Sequence, residues 1–457
     1  MIYFIFLFFI FTRFIPYFFS SVPTGYDAGI YLNIFKLSSF VPDWLAGSYY
    51  TALFNILAPF VKLFSDPSIL LIPLQLCSAL FLFWCLNWAI KTVMNKEQRL
   101  FTLFLFSVSA IQFRMYWFYY VKNMFALGFV LLFLGAIARK KYFAAALFCI
   151  LVGLIHLPTF FILAAICGVE FLLHKNKLII AGMFAVSLAI TLLYNIPVFS
   201  ITILPFFKPF VELNRIAQPF GKGDWGGTFY DLWPSIVLMG VYIWLAAISV
   251  LRLPRRFAPR NDINRHQPLT TNHFFTTPFF SALIATSVIV LGQFFFFRRF
   301  IPAWDLFVII AAGYSAKQIL SMKYFYAVLT ALFILVFIYK TGMPLKTPAD
   351  IAELRASKIS NKAYIFSTSK EDTAWIMGYT DAQVIAWNFG GYSQLLTDAE
   401  WNAFYSAKTE GEYGTILNKL PNNIYVYISD KEKSLYAGLI QMKNLHKLSR
   451  QVYQYIR

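Results

Sequence analysis

Charge is scarce in this chain. Only 13% of its 457 residues are Asp, Glu, Lys or Arg, against 59% that are hydrophobic. So little charge cannot cover the surface of a soluble protein of this length, which excludes that class and leaves a polytopic membrane protein. Acids are the scarcer sign, 21 against 39 basic residues, giving a net charge of +18. On a soluble chain such an excess would suggest nucleic acid. On a membrane-embedded one it fixes topology or meets anionic lipid, so the bilayer is the expected partner and nucleic acid is not. Cysteine is thin as well: Cys77, Cys85, Cys149 and Cys167 all lie in apolar runs. No disulfide framework is visible, and the redox compartment stays open. There are five histidines, and no His/Cys/Asp grouping has metal-ligand spacing. What abounds is aromatic, 20% of the chain with 52 Phe, which suits lipid-facing helices and interfacial belts.

Residues 1–19 lack a basic n-region, and no small-x-small cleavage site precedes Pro23, so they read as a retained first helix rather than a signal peptide. Runs long enough to span fall near 1–19, 68–90, 100–118, 123–138, 142–157, 158–173, 178–195, 231–250, 278–297, 301–316 and 322–339. The expected architecture is therefore an α-helical bundle of about eleven transmembrane helices, several of them short for a core of ~30 Å, with added interfacial helices. Segment 46–64 decides the topology. Read as a span, it places Lys91, Lys96 and Arg99 outside and inverts every later loop. Read as a helix in the interface, it gathers fifteen basic residues and only Glu97 and Asp262 among acids on the cytoplasmic side. The second reading is adopted: a multi-pass plasma-membrane protein, N-terminus cytoplasmic, with external loops at 20–67 and 196–230.

After Lys340 the composition changes. Residues 345–457 carry 13 basic and 11 acidic residues, and the apolar runs shorten. "KAYIFSTS", "AQVIAWN", "NIYVYIS" and "SRQVYQYI" have the β-branched and aromatic content of strands, while "TDAEWNAFYSA" and "YGTILNKL" read as helices. The division is a transmembrane domain over 1–340 and a small α/β domain over 345–457 on the extracytoplasmic side.

The chemistry-bearing residues lie outside the membrane. In "PTGYDAGIYLNIFKL" a sharp turn leads to Asp27 and then to a segment with Ile30, Ile34 and Leu37 on one helical face. Asp27 can be the N-cap of an interfacial helix, accepting from the amides of Gly29 or Ile30. It can also be a carboxylate held at the membrane surface as general base for an acceptor hydroxyl or amine. Arg298 and Arg299 in "FFFFRRFIPAWDLFVI" stand at an external turn where topology does not favour cations, and planar guanidinium donors suit a phosphate. Snorkelling to headgroups is the plainer alternative, and Asp305 two turns on is a candidate partner for one arginine. His156, beside Pro158 at a helix end, reads first as a local hydrogen-bonder. The loop with Glu212 and Arg215 is either a lid with glycine hinges or plain connection.

A first transmembrane helix, an acid within about ten residues of its outer end in a Tyr/Gly context, and amphipathic interfacial helices in a long first external loop resemble the GT-C superfamily, such as protein O-mannosyltransferases and the lipid A aminoarabinose transferase. "GYDAGIYL" is the stretch that carries the likeness. The resemblance implies a glycosyltransferase that takes a sugar from a polyprenyl-phosphate-type donor, with Asp27 at the position of the catalytic base or acceptor-placing acid. A second acid, often found in the next external turn of such enzymes, is replaced here by Lys122 and Asn123 in "WFYYVKNMFAL". That departure implies a metal-independent donor site in which Lys122, Asn123, Arg298 and Arg299 meet the lipid phosphate, although a divalent cation stays open. Tyr26, Tyr31, Asp43, His156, Glu212 and Arg215 make up the expected acceptor side, for a glycan, lipid or protein acceptor. Rival classes are a flippase for lipid-linked oligosaccharide, which would place charges mid-helix beside broken spans, and an O-antigen-type polymerase or ligase. A mere anchor would not need so many helices.

Overall fold

The computed structural model describes residues 1–36, 51–173, 177–198, 233–251, 277–292, 294, 297–316, 323–338, 346–357, 359, 363–369, 372–380, 382–387, 395–422 and 424–457. Asp43, Glu212 and Arg215, and with them most of the loop 196–230 and the arginines of 252–265, lie outside the described residues.

The membrane part is an assembly of apolar helices. In order, α1 (Ile2–Phe19), α2 (Asp27–Phe35) and α3 (Ala52–Val61) are followed by a 3₁₀ turn, Pro67–Leu70, that runs into α4 (Leu71–Ile90). Next come α5 (Lys96–Ser107), α6 (Ala110–Trp117), α7 (Val121–Ala138), α8 (Tyr142–Ile155), α9 (Leu157–Leu173) and α10 (Lys177–Tyr194). The series continues with α11 (Trp233–Leu251), α12 (Pro278–Leu291), α13 (Phe297–Gly313) and α14 (Lys323–Val336). Among the described residues, five helices are long and apolar enough to cross a membrane, or six when α5 and α6 count as one span. Helix α3 has ten residues, about 15 Å at 1.5 Å per residue. That is half of what a crossing needs.

Segment 100–118, expected as one helix, is instead broken, with α5 and α6 meeting at 50°. The local cause is Ser109, whose side chain accepts from the Gln112 amide and starts a new helix. The break frees carbonyls that need donors, and the buried Arg13 guanidinium supplies one to Ser107 O at 3.0 Å. Asp305 of α13 holds the other side, its Oδ2 accepting from Ser109 Oγ at 2.8 Å and from Gln112 Nε2 at 2.9 Å. Asp305 is thus engaged by Ser109 and by Gln112 of α6.

The C-terminal domain consists of α15 (Pro348–Ala356), β1 (Tyr364–Ser367), α16 (Thr373–Tyr379), β2 (Gln383–Ile385), α17 (Asp398–Ser406), α18 (Glu410–Leu417), β3 (Ile424–Tyr427), α19 (Ala437–Ile440), β4 (Leu445–Lys447) and β5 (Val452–Tyr455). The sheet order is β2-β1-β3-β5-β4. Strand β1 runs parallel to both β2 and β3, and β5 runs antiparallel to β3 and β4. The four expected strands and both expected helices are present, and β4, α15, α16 and α19 add to them. Helices α15, α17 and α18 each open on a threonine capping box, at Thr347, Thr397 and Thr409. Behind the sheet, Phe366 stacks on Trp401 at 4.9 Å within a closed aromatic core.

The two parts meet at α2. Every residue from Ala28 to Phe35 is buried, so this is no half-exposed amphipathic helix. The face expected to meet water is covered by α16. A Cβ on Gly29 would lie 2.2 Å from Ala374 O, and one on Gly378 would lie 2.4 Å from Gly29 O, so the two backbones touch because both positions are glycine. Asn33 Nδ2 donates to Met377 O at 3.2 Å, and Arg355 Nη2 pairs with Asp66 Oδ2 at 2.9 Å.

Candidate active site

The site is assembled where α2 begins. Gly25 has φ +90, and a Cβ there would fall 2.3 Å from Trp117 O, so the turn before Asp27 is pressed against the end of α6 as only glycine allows. Thr24 anchors the same turn, its Oγ1 accepting from the buried Gln75 Nε2 at 2.7 Å. The turn already closes the helix entrance: Ala28 N donates to Gly25 O and Gly29 N to Tyr26 O. Asp27 is therefore the first helical residue, Tyr26 occupies the N-cap position, and no side chain caps the helix. The capping role expected for Asp27 falls to backbone, and the carboxylate is left for other contacts.

The charges that act on it are cations. One turn on, the Oη of the buried Tyr31 accepts from the Lys122 amide at 3.0 Å and lies edge-on to Tyr119 and Phe54. This ties α2 to the first turn of α7, with the Lys122 ammonium 5.7 Å from the centre of the Phe54 ring. Asp27 is half-buried, on a helix too short to span the membrane. Burial pushes its pKa up to about 7, against the opposing pull of Lys122 and Arg299. His156, at the junction of α8 and α9, belongs to the same group. Burial first, and then the charges of Lys122 and Arg299, hold its pKa well below the ordinary range, so the ring is neutral. Its Nδ1 lies 2.8 Å from Thr159 Oγ1, the local hydrogen bond expected of a histidine at a helix end. Half-buried Tyr120 lies within the field of both Asp27 and Arg299.

Asp27, Lys122, His156 and Arg299 thus lie within one another's electrostatic reach, and Tyr31 bonds the Lys122 amide. Tyr120 was missed, since nothing distinguishes it within the aromatic run "WFYY". Tyr26 belongs elsewhere, its Oη 2.6 Å from Thr373 Oγ1 on α16. Asn123 is half-buried on α7 beside Lys122, and Arg298 lies in the first turn of α13, its side chain outside the described residues.

No protein-family model matches the sequence, and no curated protein matches it. Among solved structures the chain is similar to the oligosaccharyltransferase of Archaeoglobus fulgidus, solved in complex with zinc and sulfate. The identity is 13% and the TM-score 0.51, with 98% of this chain and 73% of that chain covered. The likeness establishes the fold, and it bears out at that level the resemblance to GT-C glycosyltransferases. Among the described residues no three His, Cys, Asp or Glu side chains gather, and the charges acting on Asp27 are the cations Lys122 and Arg299.

Proposed function

We propose that this protein is an integral membrane glycosyltransferase that moves a sugar from a polyprenyl-phosphate-type donor to a glycan, lipid or protein acceptor on the extracytoplasmic face. Asp27 takes the proton of the acceptor nucleophile as it attacks the anomeric carbon. Lys122 and Arg299, with Arg298 beside it, compensate the departing phosphate, and neutral His156 orients polar groups without adding charge. Direct displacement inverts the anomeric centre. The observation that carries the reading is one carboxylate poised near neutral pH against two cations, within a fold similar to that of an oligosaccharyltransferase. A base with a pKa near the working pH is where proton transfer is most effective, and cations at a leaving phosphate stabilise charge as it develops. No step in this scheme is routed through a metal.

The test is transfer of a labelled sugar from polyprenyl-phosphate-linked donors by the purified protein, wild type against Asp27→Asn. Loss of about 10²–10⁴-fold in turnover at equal thermal stability is expected. Equal turnover in the two proteins would remove Asp27 from the chemistry. A second reading is transport of a lipid-linked saccharide, favoured by the broken span at α5–α6 and the buried Arg13 and Asp305 beside it. It predicts movement of a fluorescent lipid-linked sugar across proteoliposomes that Asp27→Asn leaves intact.

A further inference from the structure

Helix α7, which carries Lys122, begins without a side-chain cap. The first N–H groups of a helix have no acceptor inside it, so each must find one elsewhere. Here the amides of Tyr120, Val121 and Lys122 donate to Met115 O at 3.1 Å, Tyr119 O at 2.8 Å and Tyr31 Oη at 3.0 Å. The first two of these bonds belong to one tight turn, centred on Tyr119. Its φ is +66, in the left-handed region. Tyr119 N also donates to Tyr116 O at 3.0 Å, and with the Tyr120–Met115 bond this closes α6 by the paired hydrogen bonds of a left-handed helix end. Glycine usually fills that position, because a Cβ makes the conformation strained.

A second helix end in the molecule shows what is unusual here. Lys140 has φ +58 and ends α7 with the same pair of bonds, from Lys140 N to Ile137 O and from Lys141 N to Ala136 O. Lys140 is exposed, whereas Tyr119 is wholly buried. Strain at a buried residue persists only where the surroundings enforce it. Tyr119 Oη donates to Leu71 O at 2.5 Å, and its ring stands edge-on to that of Tyr31 at 5.1 Å. One turn along α4 from Leu71, Gln75 Nε2 donates to Tyr116 O at 2.7 Å, so α4 holds the turn from both sides.

The turn also adjoins both halves of the candidate site. A Cβ on Gly25 would lie 2.3 Å from Trp117 O and 2.7 Å from Tyr119 N, so the chain leading to Asp27 rests on this backbone. On the other side Lys122 follows three residues after Tyr119, and its amide ends on Tyr31, the ring that Tyr119 touches. Tyr119 has no surface to offer a substrate, so any effect it has passes through its neighbours. We propose that Tyr119 is a positioning residue: its side chain locks the left-handed turn between α6 and α7, and through that turn fixes Lys122 relative to Asp27. Its effect on turnover rests on the transferase reading; its hold on the start of α7 does not.

The experiment is hydrogen–deuterium exchange over residues 119–123 of the full-length protein in detergent, beside transfer of a labelled sugar from polyprenyl-phosphate-linked donors. Tyr119→Phe removes only the bond to Leu71 O and should speed exchange there by about 3–10-fold, the worth of one hydrogen bond. Tyr119→Ala and Tyr119→Gly remove the ring as well. Glycine accepts the left-handed turn, so Tyr119→Gly should melt above Tyr119→Ala. Even so, kcat/KM should fall alike in both, by about 10–100-fold. In a Lys122→Met background the same substitutions should cost much less, because the group they displace is already gone. Unchanged exchange in Tyr119→Phe and Tyr119→Gly would overturn the proposal. So would activity that recovers with the melting temperature in Tyr119→Gly, or a full cost that persists beside Lys122→Met. Faster exchange together with turnover indifferent to Asp27→Asn and Lys122→Met would instead sink the transferase reading and leave the hold on α7 standing.

Discussion

Two carboxylates of the membrane part, Asp27 and Asp305, are handled in opposite ways. Asp305 is fully enclosed and accepts hydrogen bonds from Ser109 and Gln112, so it fastens α13 to the broken span. Asp27 is half-buried at a helix start where backbone already fills the capping role, and its electrostatic partners are Lys122 and Arg299. Neutral donors hold Asp305 through one oxygen, Oδ2, as suits a buried group that serves structure. A carboxylate set against cations at the edge of the bundle has its charge tuned instead, which is the arrangement that proton transfer requires. Acidic residues are few in this chain, and their surroundings separate the two roles better than their positions along the sequence do.

Matched substitutions sharpen that contrast. Asp27→Asn should cost about 10²–10⁴-fold in turnover and should not destabilise the fold. The sign of its stability effect follows from the raised pKa. The native state holds the Asp27 proton up to about pH 7, whereas the unfolded chain releases it near 3.8. Wild type therefore loses stability as pH rises between those values. Melting of Asp27→Asn should match wild type near pH 4 and exceed it above pH 7. A variant that melts lower at pH 8 would place Asp27 with Asp305 as a structural acid. Asp305→Leu should behave conversely, removing the acceptor of two buried donors at a cost of about 1–3 kcal/mol. Its melting temperature should fall while turnover per folded molecule is unchanged.

The next effect in size concerns the join between the two domains. In Gly29→Ala the new methyl would stand 2.2 Å from the Ala374 carbonyl oxygen, so α2 and α16 must separate. Overpacking of this kind costs about 1–3 kcal/mol. Gly378→Ala should do the same from the other side, with its Cβ 2.4 Å from Gly29 O. Both should lower the melting temperature and speed proteolytic release of the C-terminal domain. Since α2 also carries Asp27, turnover should fall with them. If Gly29→Ala left both release and turnover at wild-type values, the acid would be positioned by α7 alone.

Much of this was legible in the sequence where the signal is local. The turn and acid of "PTGYD", the four strands with β-branched and aromatic content, and a helix within 46–64, found at Ala52–Val61, follow from nearest-neighbour chemistry. The burial of α2 was not legible, because its cover, "TAWIMGY", lies some 340 residues later and has no periodicity that marks it as a partner. The break after Ser107 was hidden in a continuous apolar run, with Ser109 and Gln112 as its only local signs. Strand β4 is three residues of which two are exposed, too short to carry an alternation. Lys122 and Arg299 could be picked out as cations with no topological reason for their place. Their convergence on Asp27 is a property of the packed helices.

The smallest effect tests the convergence itself. If Lys122 lowers the pKa of Asp27, then Lys122→Met removes one of the two opposing cations and leaves burial less balanced. The pKa should move upward from about 7, since a carboxylate that loses a nearby positive charge is harder to ionise. In a pH profile of kcat/KM, which reports the free enzyme, the acid-side limb should therefore shift to higher pH. Arg299→Met should shift it in the same direction and Asp305→Asn should not shift it. Loss of a phosphate contact would lower kcat/KM at every pH without moving the limb, so position and height of the profile separate the two roles of the lysine. A limb that stays in place in both cation variants would mean that burial alone sets the carboxyl, and that the cations serve only the donor.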